Sequence, residues 1–243
     1  MNISSAIFDR SAPDLASCPD ESLPEFAFIG RSNVGKSSLL NMLAGKEGLA
    51  RVSPTPGFTK LINIFTMNQT WRLVDLPGYG FAQVAREDSA RFNKAVLEYL
   101  QHRKNLCCVF ALIDSNLPPQ GIDVEFLEWL TSHSIPFVFV FTKTDRITPA
   151  EAEANIKAFT DRIAGWFQKL PEVLSCSATT GHGRRNLLGL IEKSLVEAEA
   201  APPEPEAPAP APVELPEDLP PKGWPVYATS KKKERKPNRA RPW

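Results

Sequence analysis

The fold of this chain is decided by one stretch, Gly30-Arg31-Ser32-Asn33-Val34-Gly35-Lys36-Ser37. It matches the pattern G-x-x-x-x-G-K-[ST], in which backbone N–H groups of a glycine-rich loop surround a phosphate. The apolar run Phe26–Ile29 before it predicts a strand, and a helix is predicted after Lys36. In that context the lysine reaches the β- and γ-phosphates of a nucleotide, and the Ser37 hydroxyl faces Mg²⁺. The sequence therefore predicts a nucleotide-binding P-loop from Gly30 to Ser37, continued by Ser38.

Strand and helix signals alternate through the first 196 residues, which predicts an α/β fold with a mostly parallel sheet. Six strands are expected, two of them in an antiparallel hairpin at one edge of the sheet. The predicted strands are Phe26–Ile29, Leu61–Thr66, Trp71–Val74, Cys107–Ile113, Phe137–Phe141 and Val173–Cys176. Helices are expected after Lys36 and over Arg86–His102, Gly121–Ser132, Pro149–Phe167 and Arg184–Ala198, with Thr148 as an N-cap.

The composition divides the chain into four parts. Residues 1–22 form an N-terminal extension, and residues 23–196 form the predicted domain. Residues 197–221 are rich in Ala and Pro and contain seven acids but no base, which predicts an extended, disordered linker. Residues 222–243 contain eight Lys or Arg against the single acid Glu234 and are expected to form a disordered basic tail. The formal net charge of zero hides this segregation.

The composition also disfavours several classes of protein. The four cysteines have no C-x-x-C spacing, so neither a metal site nor a disulfide framework is predicted. No apolar run approaches the roughly 18 residues that a membrane helix needs. The N-terminus resembles neither a signal peptide nor a transit peptide. The chain is therefore expected to be cytoplasmic, with reduced thiols and no membrane contact.

A second motif, Asp75-Leu76-Pro77-Gly78, follows the predicted strand Trp71–Val74. A carboxylate at a strand end beside a P-loop can hold a water on Mg²⁺. Gly78 can bring its N–H to the γ-phosphate because no side chain obstructs it. Alone, D-x-x-G is often an ordinary turn, but downstream of a P-loop it predicts a phosphate-sensing loop. Many GTPases place a water-orienting glutamine directly after this motif, whereas this chain has Tyr79 there and no evident substitute.

A third motif, Thr142-Lys143-Thr144-Asp145, resembles the guanine signature N-K-x-D with Thr in place of Asn. The Asp145 carboxylate only accepts hydrogen bonds. Guanine presents N1–H and its exocyclic amine side by side, whereas adenine presents an acceptor at N1 and would leave the carboxylate unpaired at a cost. Lys143 is expected to lie over the base and brace the P-loop. Because Asn usually supplies extra structural hydrogen bonds, Thr142 is expected to weaken the motif slightly.

The partner loop for the base is predicted at Ser177-Ala178, directly after the last strand. A backbone N–H of this loop would meet O6 of the guanine. The dipeptide carries no information by itself, and the prediction depends on its position.

Taken together, these residues closely resemble the EngB (YihA/YsxC) family of ribosome-biogenesis GTPases, within the TrmE-Era-EngA-EngB-Septin-like P-loop GTPases. The initial Thr of the third motif is itself a feature of that family. The resemblance covers roughly Ile7 to Val196 and leaves the acidic and basic segments outside it. The stretches that carry it are Phe28–Asn41, Thr55-Pro56-Gly57 with Thr59, Asp75–Ala82 and Thr142–Asp145.

The resemblance implies a three-layer P-loop GTPase domain that binds GTP, GDP and Mg²⁺ and assists assembly of the large ribosomal subunit. The expected partner is the precursor of that subunit, with its rRNA and ribosomal proteins. No DNA partner is expected, and the free protein is expected to be a monomer. The loop Arg51–Lys60 would be the first switch, in which Thr59, or as second choice Thr55, contacts Mg²⁺. The loop after Gly78 would be the second switch.

Four residues are expected to act in hydrolysis: Asn33, Lys36, Thr59 and Gly78. In GTPases that resemble this chain, an Asn at the position of Asn33 helps to hold K⁺, which supplies a counter-charge for the transition state. Otherwise Asn33 is one of the variable P-loop residues. Intrinsic hydrolysis is expected to be slow and K⁺-stimulated, with the ribosomal particle as activator.

Two other functions stay open. One is a signalling or cell-division switch that binds a protein partner without RNA contact, and the basic segment 222–243 favours the ribosomal reading over it. The other is an ATP-using P-loop kinase, which Asp145 and the lack of a separate lid domain disfavour.

Overall fold

The computed structural model describes residues 1–50, 61–79 and 86–200, with no account of the side chains of residues 86–93. The predicted first switch, with Thr55 and Thr59, therefore lies outside the described residues. So do the second-switch residues 80–85 and everything from residue 201 onward.

Seven strands form one sheet in the described part of the chain, in the order β1-β3-β4-β2-β5-β6-β7. The pairs β2–β4, β2–β5, β5–β6 and β6–β7 are parallel, whereas β1–β3 and β3–β4 are antiparallel. The predicted mostly parallel α/β sheet is thus confirmed. The strands are β1 Ala6–Ala12, β2 Glu25–Gly30, β3 Ile62–Met67, β4 Trp71–Asp75, β5 Leu106–Asp114, β6 Phe137–Thr142 and β7 Val173–Ser175.

The expected count of six strands is wrong because β1 adds a seventh, within the predicted N-terminal extension. It pairs with β3 from Ala6 opposite Met67 to Ala12 opposite Ile62. The β3–β4 hairpin is therefore not the edge of the sheet. Only Ala6 and Ala12 of β1 are buried, so the strand has no apolar pattern to reveal it. A bulge after Phe8 interrupts the pairing, a device that protects sheet edges.

Five helices cover the two faces of the sheet in the described residues. They are α1 Lys36–Ala44, α2 Arg86–His102, α3 Gly121–Ser132, α4 Pro149–Ile163 and α5 Arg184–Ala200. Side chains of α2, α3 and α4 contribute to one apolar core, and those of α1 and α5 contribute to the other. This arrangement is the predicted three-layer architecture. Because both faces are covered, β2 is buried along its whole length.

Two helix ends differ from the prediction. Helix α4 ends at Ile163, and the chain continues as a 3₁₀ turn, Ala164–Trp166. Helix α5 extends to Ala200, so the first four residues of the predicted linker are helical. Those residues are alternating Glu and Ala, which favour helix, and the first proline comes only at residue 202. None of the helices that the structure describes is long and apolar enough to cross a membrane.

A buried ion cluster closes the end of the sheet at which β2 begins. Glu25 is fully buried and accepts from Arg103 Nη2 at 2.6 Å and Nε at 2.9 Å. The Tyr99 hydroxyl donates to the same carboxylate at 2.6 Å. Arg103 also donates to the carbonyl of Pro19 at 2.9 Å, which ties the segment before β2 to the end of α2. The opposite ends of the parallel strands form the candidate site.

Candidate nucleotide-binding site

The P-loop lies between the carboxyl end of β2 and the first turn of α1. Gly35 precedes the helix with φ +99°, and Asn33 has φ +65° and is exposed. The left-handed conformation is one that Asn tolerates better than most residues, so Asn33 has a conformational role in this loop. The N-terminal end of α1, with its unpaired N–H groups and positive dipole end, is directed at the place where a phosphate would bind.

Lys36 and Asp75 form a buried ion pair across the site. Asp75 ends β4 and Lys36 begins α1, so the two predicted phosphate motifs meet directly. Ser37 is partly buried in the same first turn of the helix. The ion pair compensates part of the free-energy cost of burying the two charges. In the nucleotide complex, a phosphate would provide the opposite charge for Lys36, and a cation would provide it for Asp75.

The residues fit Mg²⁺ only together with a nucleotide. Mg²⁺ is usually held by one or two carboxylates, several waters and substrate phosphates. Asp75 and Ser37 provide oxygen donors of that kind. The described part of the chain holds no cluster of three or more His, Cys, Asp or Glu that could bind a metal ion alone. Asp75 and Ser37 would therefore hold Mg²⁺ with the help of the phosphates.

The turn that ends at Gly78 is fixed against the P-loop by backbone contacts. Tyr79 N donates to the carbonyl of Gly30 at 3.3 Å, and Ser32 N donates to the carbonyl of Tyr79 at 3.4 Å. A Cβ on Gly78 would lie 2.9 Å from that Gly30 oxygen, which is closer than real Cβ atoms approach. Glycine is thus required at this position by the close approach of two loops.

The side chain of Tyr79 is buried and is bound by a residue that the sequence analysis missed. Its hydroxyl donates to Asp123 Oδ1 at 3.0 Å, and its ring packs on Phe126 with 4.6 Å between centroids. Arg31 Nε donates to both oxygens of Asp123, at 2.9 and 3.0 Å. The tyrosine therefore sits in the core beside α3 and does not occupy the place of a water-orienting glutamine.

The ionisation of this cluster follows from its burial. Burial raises the pKa of Asp123, although Arg31 and the Tyr79 hydroxyl favour the charged carboxylate. Burial, together with the nearby Asp123 charge, raises the pKa of Tyr79 well above its ordinary value. Tyr79 consequently remains a hydrogen-bond donor at any physiological pH. The only sequence signal for Asp123 was an acid in the first turn of a helix, which is common.

Thr142 connects the predicted base motif to the P-loop. Its hydroxyl lies 2.6 Å from the carbonyl of Val34 and 3.2 Å from that of Ile113, both of which accept. Its carbonyl accepts from the Ser115 hydroxyl at 2.7 Å. The threonine thus makes structural hydrogen bonds of the kind that the sequence analysis attributed to asparagine, which removes the reason for calling the motif weakened.

Lys143 lies along the P-loop. A Cβ on Gly35 would be 3.7 Å from Lys143 Cε, so the aliphatic stem covers that glycine. The ammonium group donates to Asp114 Oδ2 at 2.6 Å, at the end of β5. The backbone of Lys143 has φ +61°, a strained value for lysine that the ion pair and the packing of its stem support.

The Asp145 loop and the Ser177-Ala178 loop are brought together. Hydrogen bonds from the side chains of Ser177 and Thr179 hold the pKa of the exposed Asp145 carboxyl below its ordinary value. The backbone N–H and the hydroxyl of Thr144 both donate to the carbonyl of Cys176, at 3.3 and 3.2 Å. Ser177 N donates to the carbonyl of His182 at 3.2 Å, which leaves the N–H of Ala178 as the candidate donor to a base.

Two further residues that support the site were also missed from the sequence. Gly183 has φ +78°, and a Cβ there would overlap the carbonyl oxygen of Ser175, so this glycine lets the base loop close tightly. Arg184 caps the last turn of α1 by donating to the carbonyls of Met42 and Leu43, at 2.8 and 2.9 Å. The Arg184 bonds join elements 141 and 142 residues apart, and the Gly183 contact depends on how tightly a local loop closes, so neither follows from a motif.

Comparison with known proteins identifies the family. A family model described as a 50S ribosome-binding GTPase matches residues 25–143. The probable GTP-binding protein EngB of Christiangramia forsetii is 46% identical over 192 residues, which cover 79% of this chain and 97% of the relative. The chain belongs to the EngB family of GTP-binding proteins. The EngB relative of Bacteroides fragilis is 44% identical over the same share of this chain and 96% of its own length.

Solved structures support the EngB-family fold. The crystal structure of a probable GTP-binding protein EngB has a TM-score of 0.58 and 24% identity, covering 71% of this chain and 99% of that one. Aquifex aeolicus Era bound to GDP·AlF₄⁻ has a TM-score of 0.60, also at 24% identity, covering 80% and 62% of the two chains. This EngB-family chain is therefore a P-loop GTPase in its fold and a binder of GTP and GDP by family.

Proposed function

We propose that this EngB-family protein hydrolyses GTP slowly to GDP and phosphate and acts as an assembly factor for the large ribosomal subunit. The observation that carries the nucleotide half is the arrangement of Asp145. Its ionised carboxylate stands beside the Ser177-Ala178 loop, while Thr142 donates to the P-loop carbonyl of Val34 and the stem of Lys143 packs along Gly35. The base site and the phosphate site are thus in direct contact.

Hydrolysis is assigned to the residues around the γ-phosphate position. P-loop N–H groups and Lys36 neutralise the β- and γ-phosphate oxygens, and Gly78 directs its N–H to the γ-phosphate. Ser37, Asp75 and, in this proposal, Thr59 would hold Mg²⁺, which would supply further charge neutralisation. Asn33 would help to hold K⁺, which would supply the counter-charge that an arginine finger supplies in other GTPases. Tyr79 contributes no general base, which accounts for a slow intrinsic rate.

The ribosomal half of the proposal is supported by the family model, whose description names binding to the 50S ribosome. The GTP-bound form would bind the precursor particle, and hydrolysis would release it, as nucleotide-dependent switch loops change their order. The particle would complete the catalytic site and so act as the activator.

Cosedimentation with separated ribosomal subunits tests both halves together. The parent protein is expected to sediment with the large subunit in the presence of the non-hydrolysable GTP analogue GMPPNP, and much less with GDP or the ATP analogue. Asp145→Asn should lose the response to GMPPNP and gain one to the xanthine analogue, because an amide can donate to the carbonyl at that base edge.

Each failure has a separate meaning. Equal binding of ATP and GTP by the parent, measured by competition, would contradict the guanine site. Guanine specificity without nucleotide-dependent sedimentation would instead favour a switch that binds a protein partner. Lys36→Ala is the control, since it should abolish binding of nucleotide phosphates whatever the base.

A further inference from the structure

Asp123 is a buried carboxylate that no step of the proposed hydrolysis uses. It lies in the first turn of α3, is 1% exposed, and accepts three hydrogen bonds: Arg31 Nε donates to both of its oxygens, and the Tyr79 hydroxyl donates to Oδ1. Arg31 belongs to the P-loop, and Tyr79 directly follows Gly78. A single carboxylate therefore connects both phosphate loops to one helix.

The anchoring of Tyr79 restricts the residue before it. Its backbone is bonded on both sides to the P-loop, through the carbonyl of Gly30 and the N–H of Ser32. Its hydroxyl and ring are held by Asp123 and by Phe126. The N–H of Gly78 can shift relative to the P-loop only if Tyr79 shifts with it. Because Asp123 is excluded from water, a lost bond to it is not replaced by solvent and costs more than a surface bond.

We propose that Asp123 is a positioning residue which, through Tyr79 and Arg31, fixes the N–H of Gly78 for the γ-phosphate and so raises the affinity for GTP relative to that for GDP. This inference rests on the proposed function, because it assumes that Gly78 meets the γ-phosphate. GDP has no γ-phosphate, so its affinity should not depend on the anchor. The hydrogen bonds to Asp123 are thus predicted to strengthen the binding of GTP and to leave the binding of GDP unchanged.

The variant Tyr79→Phe removes only the hydroxyl and keeps the ring on Phe126. Its affinity for GMPPNP relative to GDP should fall about threefold to tenfold, the effect of one typical hydrogen bond. The rate kcat of GTP hydrolysis should fall by a similar factor, while the affinity for GDP stays within about twofold. Fluorescent nucleotide titration and single-turnover hydrolysis measure these quantities. Asp123→Asn, which keeps the shape of the side chain and removes its charge, should change the ratio in the same direction.

The chain offers a matched control in Tyr99→Phe. Tyr99 also donates to a buried carboxylate, Glu25, beside an arginine, Arg103, but at the far end of the sheet. This variant should lose thermal stability as Tyr79→Phe does, yet keep the parent's GMPPNP-to-GDP ratio. Equal ratios for parent, Tyr79→Phe and Tyr99→Phe, or an equal fall in both variants, would overturn the inference alone. A parent that binds no guanine nucleotide would overturn the proposed function itself.

Discussion

Asn33 has a conformational role in the P-loop and, in the proposed function, a second role in holding K⁺. Its φ of +65° favours Asn or Gly in the loop, whatever the nucleotide does. A K⁺ role requires in addition the side-chain carbonyl oxygen. The two roles can be separated by variants, because Gly keeps the conformation and removes the oxygen.

We predict that GTP hydrolysis is faster in KCl than in NaCl and that this difference depends on the Asn33 side chain. Asn33→Gly should remove the K⁺ response with the fold intact, whereas Asn33→Ala should also strain the loop by about 1 kcal/mol. Asn33→Asp, which keeps an oxygen ligand and the tolerated φ, should retain part of the response. Initial rates in the two salts, at equal ionic strength, measure the effect. Equal parent rates in KCl and NaCl would remove the K⁺ hypothesis.

At the same scale, the sequence predicted single-residue roles only where a motif fixes the spacing. The placement of Lys143 against Gly35 and of Asp145 beside Ser177 agrees with motif reasoning. Motif reasoning could not identify the partner of Tyr79, because Asp123 is 44 residues further along the chain and only the sheet topology brings the two together. A motif indicates which residues contact a ligand, but it does not indicate which other residues fix those contacting residues in place.

Elements were predictable where their pattern of burial is uniform. Strands β5 and β6 are covered on both faces and appear in the sequence as unbroken apolar runs. The start of helix α4 was predictable from Thr148 as N-cap and Pro149 in the first turn. The structure has a full capping box there: Thr148 Oγ1 accepts from Glu151 N, and the Glu151 carboxylate accepts from Thr148 N at 2.9 Å. Strand β1 had no such pattern, because an edge strand with an exposed face needs no apolar alternation.

We predict that Thr148→Ala lowers the free energy of unfolding by about 1 kcal/mol, the usual effect of removing such a cap. The backbone N–H and the hydroxyl of Thr148 lower the pKa of Glu151. A folded pKa below the unfolded one means that the Glu151 contribution is present above the ordinary value of 4.5 and is lost as the pH falls through the lowered value. Urea unfolding at neutral and acidic pH should therefore show a smaller difference between parent and variant in acid.

Thr160→Ala provides the comparison for that element. Thr160 lies within α4, where its hydroxyl donates to the carbonyl of Ile156 at 3.0 Å and caps nothing. Alanine favours helix at such a position, so this variant should be close to neutral in stability at every pH. A loss for Thr160→Ala equal to that for Thr148→Ala would show that the capping box contributes no specific stability.

At the scale of the whole molecule, the excess of basic residues lies in the C-terminal segment of the chain and not in the part that contains the nucleotide motifs. Residues 1–200 contain 20 Lys or Arg against 22 Asp or Glu, so the folded part has little net charge for attracting RNA. The remaining eight bases all lie in the predicted basic tail, 222–243, after an acidic spacer. Affinity for rRNA that depends on salt would therefore come from the tail rather than from the GTPase domain.

We predict that the basic tail contacts RNA of the large subunit. Each neutralised phosphate contributes about −0.7 to −0.9 to the slope of log affinity against log salt, so engagement of half the bases makes that slope steeper by roughly 3 units. A chain ending at Ala200, where α5 ends, should show a slope shallower by that amount, and a chain ending at Pro221 should behave the same because it keeps the acidic spacer and lacks all eight bases of the tail. Subunit affinity across a KCl series, with GMPPNP present, measures this slope.

Nucleotide affinity should be equal in all three chains, since every phosphate and base motif precedes Ala200. Identical slopes for the full chain and the chain ending at Pro221 would exclude an RNA-contacting tail, and a steeper slope for the chain ending at Pro221 would show that the tail instead masks basic surface on the domain.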